Sequence, residues 1–217
     1  MKEIFIDLGA FDGDTLEAAL VYFPDCERYY AFEPLSRNFE ILSNRFGAHP
    51  KIQLFQAAAS LENGQARLFL GKDYGNEGGS LSANKSTNYS DRYEEVATID
   101  FPAFLKEVTA KEVKVILKVD IEGHEYLLFK QLLKENRLRD VGKIFCEWHY
   151  DRLSMPKEEH DAVVRDLNRL GFELTGNNHW DEFFLTIEAW KKQGRFIFAL
   201  KRKWFFLKRS LKPFVID

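Results

Sequence analysis

The sequence predicts an α/β fold, a largely parallel sheet with helices on both faces. Two observations carry this. Short apolar runs alternate with helix-like segments along the chain, and the runs are continuous rather than alternating, as in strands buried on both faces. Glycines and charged residues collect just after several of these runs, at the strand ends where such sheets bind ligands.

Taken in order, EIFIDL (3–8) reads as a buried strand, and residues 14–22 as a helix with Asp12 or Asp14 near its cap. RYYAFE (28–33) is a strand that stops at Pro34, and 36–46 is a helix expected to be capped by Ser36. KIQLFQAA (51–58) is a third strand, and the turn Glu62-Asn63-Gly64 introduces another, ARLFLG (66–71). Residues 72–93 are polar with three glycines, a length that marks a functional or disordered loop. EVATID (95–100) follows, then a short helix near 102–110 and VKVILKVD (113–120), the most apolar strand. A helix at 125–135, the strand GKIFCEWH (142–149), an amphipathic helix at 157–170, the strand GFELTG (171–176) and a last strand, GRFIFALK (194–201), complete the reading.

The 217 residues suit one domain over 1–200 with an appended tail. Apolar residues at 45% and charged residues at 30% indicate a globular chain, and a net charge of −3 gives no bias toward nucleic acid. Residues 201–217 hold six basic residues and one acidic, among Trp204, Phe205 and Phe206, and the preceding 200 carry a net charge of −8. Such a tail suits either a weak contact with an anionic membrane surface or packing of its aromatic residues with the cations solvated. Cys26 and Cys146 lack the spacing of a metal knuckle or redox pair. Asp7 interrupts the only apolar start, and no apolar run reaches 18 residues. Neither a signal peptide nor a membrane span is therefore expected, and a reducing cytoplasm is the expected compartment.

The first strand runs into Asp7, Gly9, Ala10, Phe11, Asp12 and Gly13. Glycines there permit a sharp turn and close approach of a ligand, and the next helix offers free N–H groups. The spacing is G-x-x-x-G rather than the dinucleotide pattern G-x-G-x-x-G, and a carboxylate two residues earlier suits an ammonium group better than a pyrophosphate. A tight turn without a ligand is the plainer alternative. Glu33, at the end of the second strand, can accept hydrogen bonds from both ribose hydroxyls, or be a surface charge. Ala57, Ala58 and Ala59 leave room for a flat ring, or pack a turn. Lys118, Asp120 and Glu122 alternate with apolar residues and point one way if the strand continues. Buried charge of this kind needs a partner or a ligand, so it reads as an ion-pair network or a site. Glu147 and His149 end the next strand on one face. Carboxylates and an imidazole at that edge suit a general base, or a divalent cation held by Asp120, Glu122, Glu147 and His149.

Together these residues resemble the FkbM family of S-adenosylmethionine-dependent methyltransferases. FIDLGAFDGDT (5–15) is similar to the family's cofactor turn, AFEP (31–34) to its ribose-binding acid, and LKVDIEGHE (117–125) to its K-x-D-x-E-G-x-E signature. GGSLS (78–82), VATID (96–100) and EWH (147–149) resemble further family segments, so the likeness spans residues 3–150. It departs at Ala10-Phe11-Asp12-Gly13, where the family often has A-N-x-G. The resemblance implies a Rossmann-like class I methyltransferase fold, a mostly parallel seven-stranded sheet with a final antiparallel strand. It also implies O-methylation of a hydroxyl, on a sugar or glycan or on a small natural product.

On this reading Asp7, Gly9, Ala10, Asp12, Gly13, Glu33, Ala58 and Asp120 hold S-adenosyl-L-methionine. Asp120 is the first candidate for base and His149 the second, since imidazole titrates near neutrality. Glu122 and Glu147 orient them. Lys118, Glu125, Tyr74 and Tyr89 meet the acceptor, the tyrosines stacking on sugar rings as the loop 72–93 closes. The rival readings are a nicotinamide-dependent oxidoreductase, a methyltransferase acting on nitrogen, and a non-enzymatic Rossmann-like binding module.

Overall fold

A computed structural model of the chain describes residues 2–72, 78–110, 112–172 and 174. The chain divides into two units, Met1–Trp180 and Asp181–Asp217, and every described residue belongs to the first. The basic tail, the expected strand at 194–201 and half of the one at 171–176 lie outside the described residues, as does Tyr74.

The central sheet is built from β1 (Lys2–Leu8), β2 (Arg28–Phe32), β3 (Ile52–Phe55), β7 (Val113–Val119) and β8 (Val141–Cys146), in the order β3-β2-β1-β7-β8. Every neighbouring pair is parallel. The chain winds outward from β1 to β3, then returns to β7 on the other side of β1. The switch point therefore falls between β1 and β7, and the crevice at their carboxyl ends is where such a sheet binds ligands. Five strands, not the expected seven, form this sheet among the described residues.

The connections are α1 (Asp14–Tyr22), α2 (Ser36–Phe46), α3 (Phe101–Thr109), α4 (Glu125–Lys134) and α5 (Lys157–Arg169). Each buries an apolar stripe, as in α4, where Tyr126, Leu128, Phe129 and Leu132 enter the core. Caps differ from the expected ones. Gly13, in the left-handed region at φ 90°, precedes α1, while Asp12 Oδ1 accepts from the Asp14 N–H at 3.1 Å. Leu35 precedes α2, because the Ser36 hydroxyl is spent on Glu94. Asp100 caps α3 by accepting from the Ala103 N–H at 2.9 Å.

The stretch read as one strand at 51–58 is two. After β3 the chain leaves the sheet, and β4 (Ala58–Ser60) joins β5 (Gly64–Gly71) and β6 (Asn88–Asp100) in a second sheet of order β4-β6-β5. The expected loop is accordingly shorter, since β6 begins at Asn88. Phe richness has a packing reason in part. Phe32 stacks on Phe55 at 4.6 Å and meets Phe104 edge-on at 5.2 Å, against Phe101. Such pairs add about 0.5–1.5 kcal/mol beyond area burial.

One close approach fixes the switch point. Gly9 has φ 79°, and a Cβ added to it would stand 1.9 Å from the Asp120 carbonyl oxygen. The turn after β1 therefore lies directly on the turn after β7, which only glycine allows. Gly9→Ala should destabilise the fold by about 3 kcal/mol or more, from overpacking and the unfavourable φ. Gly64→Ala, whose Cβ meets nothing nearer than 3.8 Å, should stay within about 0.5 kcal/mol. Urea unfolding of the two variants checks the difference, and equal midpoints would contradict it.

Candidate functional site

Beneath the switch point lies a buried ion pair. Asp7 on β1 stands in register with Lys118 on β7, and Lys118 Nζ is 3.0 Å from Asp7 Oδ1. The two residues are 0% and 1% exposed. Lys118 also donates to the carbonyls of Leu8 and Gly9 and lies 3.6 Å from Asp120 Oδ2. Burial pushes the Asp7 carboxyl up, with Lys118 opposing it. Burial also pulls Lys118 down, but Asp7 and Asp120 outweigh it and leave the ammonium more basic than usual. Asp7 was expected to face a ligand's ammonium and Lys118 an acceptor. The structure instead closes them on each other under the Gly9 turn.

Above this pair the turn is pinned from β2. Gly9 and Ala10 donate their N–H groups to the Phe32 carbonyl at 3.0 and 2.9 Å. Glu33 accepts from the Phe11 N–H at 2.9 Å and, through its other oxygen, from the Leu35 N–H at 3.0 Å. Burial raises its pKa, against the pull of these hydrogen bonds. Glu33 thus shapes the turn; Oε1 also accepts from Asn38 Nδ2 at 3.4 Å, and Oε2 keeps a lone pair for a ligand's hydroxyl. Asp12 is drawn away. Its carbonyl accepts from Arg45, and its carboxylate lies 3.5 Å from the same guanidinium, which also pairs with Asp14 at 2.8 Å and Glu17 at 2.8 Å. Ala58 is packed with Leu35, Leu68 and Val96.

Beside the turn an acidic cluster gathers at the ends of β7 and β8. Asp120, Glu122, Glu147 and His149 converge as expected, although β7 stops at Val119 and β8 at Cys146. Glu122 reaches the cluster through a turn, in the left-handed region at φ 58°. His149 Nε2 lies 3.2 Å from Glu122, 3.5 Å from Glu147 and 3.9 Å from Asp120. Its Nδ1 bonds to Glu125 at 2.6 Å, so Glu125, fully buried, stands behind His149 rather than facing an acceptor.

The electrostatics separate the two candidate bases. Burial works against the His149 charge, but the Glu125 and Glu147 carboxylates, with Glu122, raise its pKa to about 11. His149 therefore holds positive charge at neutral pH and does not titrate there as expected. Asp120 is raised to about 7, first by burial, with Lys118 opposing and Glu147 and Glu122 adding. Its side chain is still 23% exposed. Glu147 is lowered, mainly by its contact with His149.

Sequence reasoning missed Lys85 and Arg45. Lys85, buried in the segment after Gly78, pairs with Glu122 and donates to the Gly78 carbonyl at 2.9 Å. Ser80 donates to the Glu122 carbonyl at 2.6 Å. The segment GGSLS pointed to this region, but a lone lysine in a polar stretch carries no signal of burial. Tyr89 lies on β6 with the Arg92 guanidinium 4.4 Å over its ring, and none of its described contacts reaches the cluster.

Lys118→Met strands the Asp7 charge. It should cost about 3–5 kcal/mol in urea unfolding, and Asp7→Asn in the same chain should recover part of that. A loss below about 1 kcal/mol would show that the pair does not hold the crossover.

The comparisons with known proteins bear on the same residues. No curated protein matches the sequence. Among solved structures, the crystal structure of a methyltransferase FkbM from Methylobacillus flagellatus KT is similar, with 18% identity and a TM-score of 0.47. The match covers 78% of this chain and 36% of that one, so this chain spans about a third of that protein's length. No helix among the described residues is long and apolar enough to cross a membrane. The sequence pattern of the methyltransferase FkbM domain matches residues 7–174, a span that contains the turn after β1, the buried pair and the whole acidic cluster. With most of its length covered, the chain belongs to the methyltransferase FkbM domain family.

Proposed function

We propose that the chain is an S-adenosylmethionine-dependent O-methyltransferase acting on a hydroxyl of a sugar or glycan. One observation carries this reading. The Gly9–Gly13 turn and the cluster of Asp120, Glu122, Glu147 and His149 meet at one strand-end crevice, in contact where Gly9 closes on the Asp120 backbone. A donor held by the turn and an acceptor held by the cluster would be neighbours.

The residues at the turn fit the donor. Glu33 Oε2 keeps a lone pair for a ribose hydroxyl, and the Gly9–Gly13 turn stands at the strand-end crevice where such a sheet binds ligands. When bound, S-adenosylmethionine supplies an electrophilic methyl carbon whose bond to sulfur breaks with the electron pair remaining on sulfur. Asp120 takes the proton that the acceptor hydroxyl gives up as its oxygen bonds to that carbon. Glu122 and Glu147 accept hydrogen bonds from neighbouring hydroxyls, which suits a polyhydroxylated acceptor better than an apolar one. Lys118, holding the Leu8 and Gly9 carbonyls from below, keeps the turn against the Asp120 backbone. Orientation of this kind supplies a large part of the rate in bimolecular transfer.

Calorimetric titration with S-adenosylhomocysteine, with NAD as control ligand, tests the reading. Binding of the first and not the second is expected. Glu33→Gln should weaken it by about tenfold or more, the worth of a hydrogen bond to a charged acceptor. Asp120→Asn should lower methyl transfer to sugar hydroxyls by about 10²-fold or more while leaving S-adenosylhomocysteine affinity within about threefold. Failure of the wild-type chain to bind S-adenosylhomocysteine would overturn the donor assignment. Full turnover by Asp120→Asn would remove Asp120 as base.

A further inference from the structure

His149 carries its own yardstick. On one side of the ring, Nδ1 makes a direct hydrogen bond to Glu125 at 2.6 Å. On the other, Nε2 is buried, makes no hydrogen bond, and faces Glu122 at 3.2 Å, Glu147 at 3.5 Å and Asp120 at 3.9 Å. A charge-assisted N–H···O contact would close to about 2.7–2.9 Å. None of the three does. Ligand atoms about 2.1 Å from a shared cation stand about 3.0 Å apart at right angles and about 3.4 Å apart at tetrahedral angles. The spacing around Nε2 is that of ligands around an ion rather than of partners in a hydrogen bond. One ligand atom each from Asp120, Glu122 and His149 lies within 4.8 Å of the others.

The surroundings supply what such a site needs. Glu125 accepts from Nδ1 and so fixes the ring with Nε2 toward the three carboxylates, the arrangement that orients metal-binding histidines; a bound cation would take the place of the Nε2 proton that the ring carries without it. Lys85, and Arg152 at 3.8 Å, meet the same Glu122 oxygen that faces His149 and hold its carboxylate in place. Asp120 directs Oδ1 toward His149 and Oδ2 toward Lys118. Asp120 and Glu147 are partly exposed, which leaves an open side.

We propose that Asp120, Glu122 and His149, with Glu147 at the rim, hold one divalent cation. Carboxylate oxygens outnumber the single imidazole, a donor set that suits Mn²⁺ or Mg²⁺. The cation's role rests on the methyl-transfer reading, although its binding does not. There it would take the acceptor hydroxyl oxygen as a ligand and make that hydroxyl more acidic. It would favour acceptors with two neighbouring oxygens able to chelate, such as a vicinal diol of a sugar.

The test is titration of the full-length chain with MnCl₂, followed by calorimetry and by the Mn²⁺ paramagnetic resonance signal, with MgCl₂ as competitor. One ion per chain is expected. Glu122→Gln and His149→Ala should each weaken it at least tenfold, and Glu125→Gln by about 10–100-fold through the freed ring. Asp166→Asn, on the exposed face of α5, should leave it unchanged. Circular dichroism confirms that each variant folds; if His149→Ala does not, Glu122→Gln, at the partly exposed rim, carries the test. Absence of Mn²⁺ and Mg²⁺ binding up to millimolar concentration, or binding untouched by Glu122→Gln in a folded chain, overturns the proposal. Cation binding without S-adenosylhomocysteine binding keeps the site and removes the methyl-transfer reading. S-Adenosylhomocysteine binding without a cation does the reverse.

Discussion

The Asp7–Lys118 pair is the constraint on which the rest depends. Its two residues sit in register on the strands that flank the switch point, and both are out of water. Two charges so placed add little net free energy relative to a well-packed apolar pair, because their desolvation offsets their attraction. What they supply is registration. A slip of one residue between β1 and β7 would turn one charge to the opposite face of the sheet and leave the other buried alone. Lys118 then extends past Asp7 to the Leu8 and Gly9 carbonyls, so the same ammonium that fixes strand register also fixes the turn above it.

This commitment sets the charge balance of the neighbouring cluster. With Lys118 shared among Asp7, the turn and Asp120, further positive charge for the cluster comes from elsewhere. His149 supplies one source, held behind by Glu125, and Lys85 another. Lys85 arrives on the segment between β5 and β6, which is anchored by the pairing of Ser80 with Phe69 and by Ser86 on the Arg152 carbonyl. The second sheet is thus part of the site's construction. It carries the segment that closes one side of the cluster.

Much of this was legible from residues alone. Alternating apolar runs gave the strands and helices of the central layer, with α1 and α2 at the expected bounds, because continuous burial leaves a strong mark on composition. Asp120, Glu122, Glu147 and His149 were expected together and are together. The roles of Asp7, Lys118 and Glu125 were misplaced for one shared reason. A charged residue at a strand end looks the same in sequence whether it faces a ligand or a partner across the sheet, and only register decides. Ser36 lost its capping role, and Lys85 was invisible, for the same cause. Their partners, Glu94 and Glu122, lie 58 and 37 residues away, beyond any local pattern.

Glu122 shows how a correct expectation was met by an unexpected route. Alternation along a continuing strand would have aligned it with Lys118 and Asp120, yet the strand ends and a left-handed backbone at φ 58° brings Glu122 round instead. Phe11, in the facing turn, is likewise left-handed at φ 49°. Each such residue costs about 1 kcal/mol or more and persists only when its surroundings hold it. Glu122 is gripped by Ser80 on its carbonyl and Lys85 on its carboxylate, and Phe11 by Glu33 on its N–H. The two strained residues each follow by two positions a member of the contact between Gly9 and Asp120, and each is restrained by a side chain from elsewhere in the chain. That is the pattern of a site set in position before any ligand arrives, and it explains why the charged residues around it are already engaged with one another.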